Sequence, residues 1–152
     1  MNPTIFERLI AGELPASFVH QDAHCVAFMD INPMSPGHVL VVPRQAVKTL
    51  TELDASTRAH LLEIAVRIGD AQRQALGSQA QHVLVNDGPG ASQTVPHVHV
   101  HVIPRYRGDA LRTLGHILKH VTTMALRRSA SPARQAELAE QARLIMVAMS
   151  RL

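Results

Sequence analysis

Aromatic side chains are nearly absent: the 152 residues include three Phe, one Tyr and no Trp. A core must therefore be assembled from Val, Leu, Ile, Ala and Met, which a chain of this length can do as one domain over residues 1–152. The single cysteine, Cys25, excludes an intrachain disulfide and any Cys-based zinc knuckle. It stands in the apolar run Cys25-Val26-Ala27-Phe28 and reads as a buried, inert thiol. No apolar stretch approaches the ~20 residues that span a bilayer. The first residues lack the basic-then-apolar order of a secretory signal, because Glu7, Arg8 and Glu13 interrupt them. These absences predict a soluble cytoplasmic protein with no membrane partner. The formal net charge of +3 suits small anions, but there is no dense Lys/Arg face of the kind nucleic-acid binders carry.

What is present in excess is histidine, with ten residues. Around these histidines the pattern of elements is regular. Thr4 opens a short helix over residues 5–10, stopped by Gly12 and Pro15. Residues 17–20 and 24–30 read as a hairpin about Gln21-Asp22-Ala23. The turn cluster 32–37 leads into an interior strand over 38–43. Asp54 or Ser56 caps a long helix ending near Leu76, with Leu61, Leu62, Ile64, Ala65, Ile68 and Ala75 as its apolar stripe and Gly77 as its stop. Strands are predicted over 82–86 and 97–103, separated by a loop over 87–94 rich in Gly, Pro and Ser. Leu111, Leu114, Leu118, Val121 and Ala125 suggest a further helix. Ser131-Pro132 starts a last one, bearing Leu138, Ala142, Ile145 and Met149. This order predicts an α+β fold with a mostly antiparallel five-stranded sheet, one long helix and additional C-terminal helices.

The segment His97-Val98-His99-Val100-His101-Val102-Ile103 carries most of the functional information. Strand side chains alternate faces, so Val98, Val100 and Val102 share one side and the three imidazoles the other, at about 6–7 Å spacing. Three readings fit this pattern. The strand is a His-rich solvent face, or two of its histidines share a metal with His38, Asp87 or the third histidine. Alternatively, one neutral imidazole attacks phosphorus while its neighbours stabilise the charge that develops. Arg105 and Arg107 stand just beyond and could meet further phosphates or simply face solvent.

At these residues the chain resembles the histidine-triad superfamily, whose signature alternates three histidines with apolar residues and closes on two apolar residues. Positions 97–103 match it throughout. Further blocks fall in the same order: Ile5-Phe6 with Leu9-Ile10, Gly12-Glu13-Leu14-Pro15, Val26 to Pro33, Pro36 to Arg44, Val85-Asn86-Asp87-Gly88 and Gln93-Thr94-Val95. The likeness covers residues 4–108 and extends to both the nucleotide-binding and fragile-histidine-triad branches. It implies a hydrolase or transferase acting at a nucleotide α-phosphate, on a nucleoside phosphoramidate or a dinucleoside polyphosphate, through a covalent nucleotidyl-histidine. His99 would be the nucleophile, His101 the phosphate contact, and His97 with His38 the supporting imidazoles. Asn86, Gln93 and Thr94 would hold the phosphate end, and Asp30 the ribose hydroxyls. Ile5, Phe6, Leu9, Phe28 and Ile31 would line the base pocket. The resemblance also implies a homodimer, to which the long helix is a plausible contributor. Two other classes remain open at this level, a non-catalytic nucleotide-binding module and a zinc protein built on the histidine strand. Many bacterial members carry a structural zinc on an N-terminal Cys-x-x-Cys. Here Thr4 and Glu7 take those places, so no structural zinc, and no cofactor, is predicted.

Overall fold

The computed structural model describes residues 2–109, 115 and 131–152. Five antiparallel strands, β1 (Phe18–Gln21), β2 (Cys25–Met29), β3 (Val39–Pro43), β4 (Ala80–Val85) and β5 (Val100–Arg105), form one sheet in the order β1-β2-β3-β5-β4. The fold is α+β, as the element order predicts. Helices α1 (Ile5–Ile10), α2 (Ala55–Leu76) and α3 (Pro132–Met149) accompany it. The predicted helix bearing Leu111 to Ala125 lies outside the described residues.

Local chemistry accounts for the ends of these elements. Thr4 and Glu7 form a reciprocal capping box that starts α1: Glu7 N–H donates to Thr4 Oγ1 and Thr4 N–H to Glu7 Oε2. Asp54 accepts from Thr57 N–H at the start of α2, and Gly77 closes that helix in the left-handed region at φ 69°. Ser131 accepts from Arg134 N–H ahead of Pro132 in α3.

The interior strands β2 and β3 are buried on both faces. One face carries Cys25, Ala27, Met29, Val39, Val41, Val98, Val100 and Val102, packed against Leu61, Ile64 and Ile68 of α2 and Leu138 and Ile145 of α3. The other face carries Val26, Phe28, Leu40 and Val42 beneath Phe6 of α1. The valines between the histidines are thus the anchor, and they turn the imidazoles toward α1.

Two details differ from the sequence reading. Strand β5 starts at Val100, not His97, and runs through Pro104 to Arg105. Upstream, Val98 N–H donates to Val47 O, so residues 97–99 lie beside Val47 and outside the ladder. Pro104 is tolerated because β3 pairs only with residues 100–102 of β5, so its missing N–H falls past the end of that ladder. On α2, Leu62 is 55% exposed with Val66 at 45%, one turn along. The buried stripe instead continues through Ala71 to Gln72, because the helix sits on the sheet along Leu61, Ile64, Ala65 and Ile68.

Gln72 is fully buried, and its Nε2 donates to Gly37 O (2.9 Å) and Val102 O (3.3 Å). It ties α2 to both the turn before β3 and the middle of β5. Gly37 is required in that turn: its φ is 88°, and an added Cβ would fall 2.5 Å from Leu76 Cδ1. Replacing Gln72 by Leu strips a buried carbonyl of its donor, and Gln72→Leu is expected to destabilise the fold by about 1–3 kcal/mol, read from the urea midpoint.

Candidate active site

Four imidazoles lie in a row that begins beneath α1 with His97 and His99 and continues through His101 to His38. His38 and His97 are fully buried, and His99 and His101 keep 4% exposure each. Phe6 packs edge-on against His97 and His99 at ring-centre distances of 5.8 and 5.2 Å, and His99 lies 4.8 Å from His101. The shared face read from the alternation is present in three dimensions.

Hydrogen bonds fix which nitrogen of each ring carries the proton. His99 Nδ1 lies 2.8 Å from the His97 carbonyl, to which only an N–H can donate. The Nε2 of a neutral His99 therefore holds a lone pair. His97 Nε2 donates to the Pro43 carbonyl at 2.8 Å, and its Nδ1 is 3.2 Å from the Thr4 hydroxyl. His38 Nδ1 accepts from Met34 N–H at 3.2 Å, which puts its proton on Nε2, 3.0 Å from His101 Nδ1. A neutral His101 then carries its own proton on Nε2. Burial holds the His99 ring below its ordinary 6.5, against the opposing pulls of the His97 carbonyl and the Asp30 charge. Burial likewise lowers His97, outweighing the Pro43 carbonyl and the Glu7 charge. The site thus places the Nε2 lone pair of a neutral His99 beside the His101 ring.

The turn holding His38 is fastened on every side. Ser35 Oγ donates to Pro104 O (2.5 Å), Tyr106 Oη to Pro36 O (2.8 Å) and Gly37 N–H to Gln141 Oε1 (3.0 Å). Together with Gln72, these bonds set His38 against His101. Sequence pattern missed Gln72, Ser35, Tyr106 and Thr4, since each acts through a partner dozens of residues away. The capping box at Thr4 was the one local signal.

The remaining residues divide. Ile5, Phe6, Leu9 and Phe28 gather in one apolar cluster with Val95, and Phe6 and Phe28 meet edge-to-face at 5.6 Å. Ile31 stands apart from that cluster and is 45% exposed. Asp30 Oδ1 accepts from Asn32 N–H, while Oδ2 lies 3.5 Å from His38 Nδ1. Asn86 is half-buried and Thr94 exposed. Both ends of the Gln93 amide are used within the loop: Oε1 accepts from Gly88 N–H and Nε2 donates to Lys48 O. Its neighbour Ser92 takes the left-handed conformation at φ 64°. His97 is joined to Thr4 and Pro43, and not to His38. Arg105 is occupied by Asp109 and His82, whereas Arg107 is exposed. A depression of about 390 Å³ beside the 34–38 turn, lined by Ser35, Tyr106, Arg107 and Gln141 among others, includes none of the four histidines.

At the N-terminal end Thr4 and Glu7 serve the capping box, and Thr4 also faces His97, so no thiolate is available there for zinc. No described helix is long and apolar enough to cross a membrane.

A HIT domain family model matches residues 11–108. An uncharacterized HIT-like protein of Mycobacterium tuberculosis is 40% identical over 109 residues, covering 72% of this chain and 76% of that protein. Adenylylsulfatase HINT3 of Arabidopsis thaliana is 34% identical, over 78% of this chain and 60% of its own length. Among solved structures, a zinc-bound histidine triad family protein from Mycobacterium smegmatis superposes with a TM-score of 0.77 at 30% identity, over 97% of this chain and 93% of that one. The Nitfhit protein of C. elegans gives 0.68 at 28% identity, over 87% of this chain and 27% of the other. A signature of three buried histidines, matched over most of the sheet, makes this chain a member of the HIT family.

Proposed function

We propose that the protein is a hydrolase or transferase that cleaves a nucleotide ester, amidate or anhydride at its α-phosphate, with His99 as nucleophile. The observation that carries this reading is the His97 carbonyl, which takes the Nδ1 proton of His99 and leaves Nε2 as a lone pair on an uncharged ring. In the first step the Nε2–P bond forms and the bond from phosphorus to the leaving group breaks. The positive charge acquired by the ring is met at Nδ1–H by the same carbonyl. His101, polarised by His38 Nε2–H, aims its own Nε2–H at the phosphoryl oxygens or the departing atom. Water or another acceptor then attacks phosphorus and expels His99, losing a proton as it does so. Asp30, the Ile5-Phe6-Leu9-Phe28 cluster, Ile31, Asn86, Gln93 and Thr94 are assigned to the nucleoside and phosphate ends. The relative named as an adenylylsulfatase adds adenylyl sulfate to phosphoramidates and dinucleoside polyphosphates as a leaving-group class to assay side by side.

We also assign the exposed apolar residues Leu62 and Val66 of α2, with Val83 of the neighbouring edge strand β4, to a homodimer interface. Three exposed apolar side chains on adjacent elements are an expected place for a second copy to pack.

Five outcomes test these readings. Mass spectrometry of protein quenched during turnover should find a nucleotidyl adduct on His99, and His99→Ala should lose on the order of 10⁴-fold or more in kcat/KM. An adduct elsewhere overturns the assignment. If His99→Ala loses turnover but keeps nucleotide affinity and every cellular role, the protein is a binding module. Because His99 must be neutral to attack and burial lowers its proton affinity, kcat/KM should rise with pH through a midpoint below 6.5 and then level off. The same depression has a stability counterpart. Unfolded His97 and His99 bind protons that the folded rings refuse, so stability should be complete above about pH 6.5 and fall as the pH drops toward the lowered folded values. Light scattering on Leu62→Glu should give a monomer where the native chain gives a dimer.

A further inference from the structure

At the far end of β1 and β2 a second group of imidazoles surrounds a carboxylate that none of the chemistry above uses. Asp22 occupies the β1–β2 turn. Its Oδ1 accepts the backbone N–H groups of His24 and Cys25, each at 2.7 Å. Its Oδ2 receives His20 Nε2 from β1 at 2.8 Å, His60 Nε2 from α2 at 2.7 Å and the Cys25 thiol at 3.7 Å. Five donors thus converge on a carboxylate with about four lone-pair sites, and three of them crowd one oxygen.

Every side chain in that crowd is also a metal ligand. The donor atoms of His20, Asp22 and Cys25 all lie within 4.8 Å of one another. A tetrahedral zinc with bonds of about 2.0–2.3 Å would separate its ligands by about 3.3–3.7 Å. The contacts to Asp22 Oδ2, at 2.7–3.7 Å, lie close to that range, and the wider spacings, with His60 reaching the group through Asp22, would close by about 1 Å or slightly more to enclose an ion. We propose that His20, Asp22, Cys25 and His60 form a site for a divalent transition metal, zinc by the chemistry of its donors, that ties the β1–β2 turn to helix α2.

One thiolate, one carboxylate and two neutral imidazoles would balance the charge of a divalent ion, and mixed sulfur and imidazole donors favour zinc over magnesium or calcium. The side chains of His20, Asp22 and His60 are 21%, 25% and 33% exposed, which gives an ion a way in, while Cys25 closes the inner side. His24 packs against the His60 ring at 5.3 Å and limits its movement. Arg44, the nearby cation, spends its Nε–H on the Asp22 backbone carbonyl and leaves the carboxylate to the ion. Without metal, burial and the adjacent Asp22 charge push the Cys25 thiol up to about 12. Binding therefore releases the thiol proton to solvent, and each ligating imidazole keeps its proton on Nδ1. This site is separate from the phosphate chemistry and from the Thr4–Glu7 end of the chain.

Cobalt(II) titration of the chelator-treated full chain tests it directly. Cys25 is the sole thiol in the sequence, so a thiolate-to-cobalt charge-transfer band can come from nowhere else. The expected result is that band saturating at one cobalt per chain and displaced by zinc. It should be lost in Cys25→Ser, with affinity at least tenfold weaker in His20→Ala and in His60→Ala, and unchanged in His101→Ala. Zinc should also raise Tm of the native chain but not of His60→Ala, a half-exposed position whose folding does not depend on replacing a core residue. No band from the native chain, or equal affinity in His20→Ala and His60→Ala, overturns the proposal.

Discussion

Burying four imidazoles side by side penalises charge on them, most clearly at His97 and His99, and that constraint organises the candidate site. An imidazolium enclosed by Phe6, Leu40 and Val95 would forfeit hydration that the surrounding apolar groups cannot replace. The structure answers mostly with neutral partners, the Asp30 carboxylate 3.5 Å from His38 Nδ1 being the charged exception. Backbone carbonyls of Pro43 and His97 accept from His97 and His99, a hydroxyl faces His97 Nδ1, and His38 donates to His101. Each partner selects a tautomer without inviting a second proton. Neutrality and direction come from the same bonds, so the reactivity proposed for His99 would follow from how the fold satisfies buried polar groups.

The carbonyls can serve this way because of what the sheet does there. Strand β3 ends at Pro43 and β5 begins only at Val100, so residues 97–99 run alongside without a complete ladder. Main-chain oxygens that a longer pairing would consume are left to the rings. On the other face Val98, Val100 and Val102 remain embedded against α2, so freeing the backbone does not loosen the segment. At the opposite end His38 is fixed by a turn that cannot shift alone, since Ser35, Pro36 and Gly37 are each bonded to a different element. Nucleophile and donor are thereby held by independent supports.

Much of this was legible in the residues and some was not. Period-two alternation at 97–103 gave the face of each histidine correctly, because a side-chain direction is a local property of extended chain. The helix stops at Gly12 and Gly77 were equally local. By contrast, the partition of α2 into Leu61 buried and Leu62 exposed depends on the angle at which the helix meets the sheet, which hydrophobicity cannot specify. The resemblance gives Gln93 to the phosphate end, but it does not reveal that the amide also clasps Gly88 and Lys48, a partner 45 residues distant. Gln72, on which the sequence pattern is silent, bolts α2 to the turn before β3 and to β5. Long-range polar contacts have no periodicity, and so leave no trace in composition or spacing.

Histidine is used in two different ways within one small sheet, and the partner chosen explains the difference. Around His99 the acceptors are carbonyls, which orient a ring without supplying charge; this suits a nucleophile that must begin neutral and bear a positive charge only while bonded to phosphorus. Around Asp22 the acceptor is an ionised carboxylate, held well below its ordinary range: burial opposes ionisation, but the His20, Cys25, His60 and His24 donors outweigh it. A fixed negative charge ringed by lone-pair donors suits a resident cation better than a transient one. Since β1 and β2 lie at one edge of the sheet and β5 near the other, with β3 between, the two uses do not compete for the same side chains. An ion bound at the edge would stiffen the β1–β2 hairpin, and Phe28 of that hairpin carries Phe6, the ring that roofs His97 and His99.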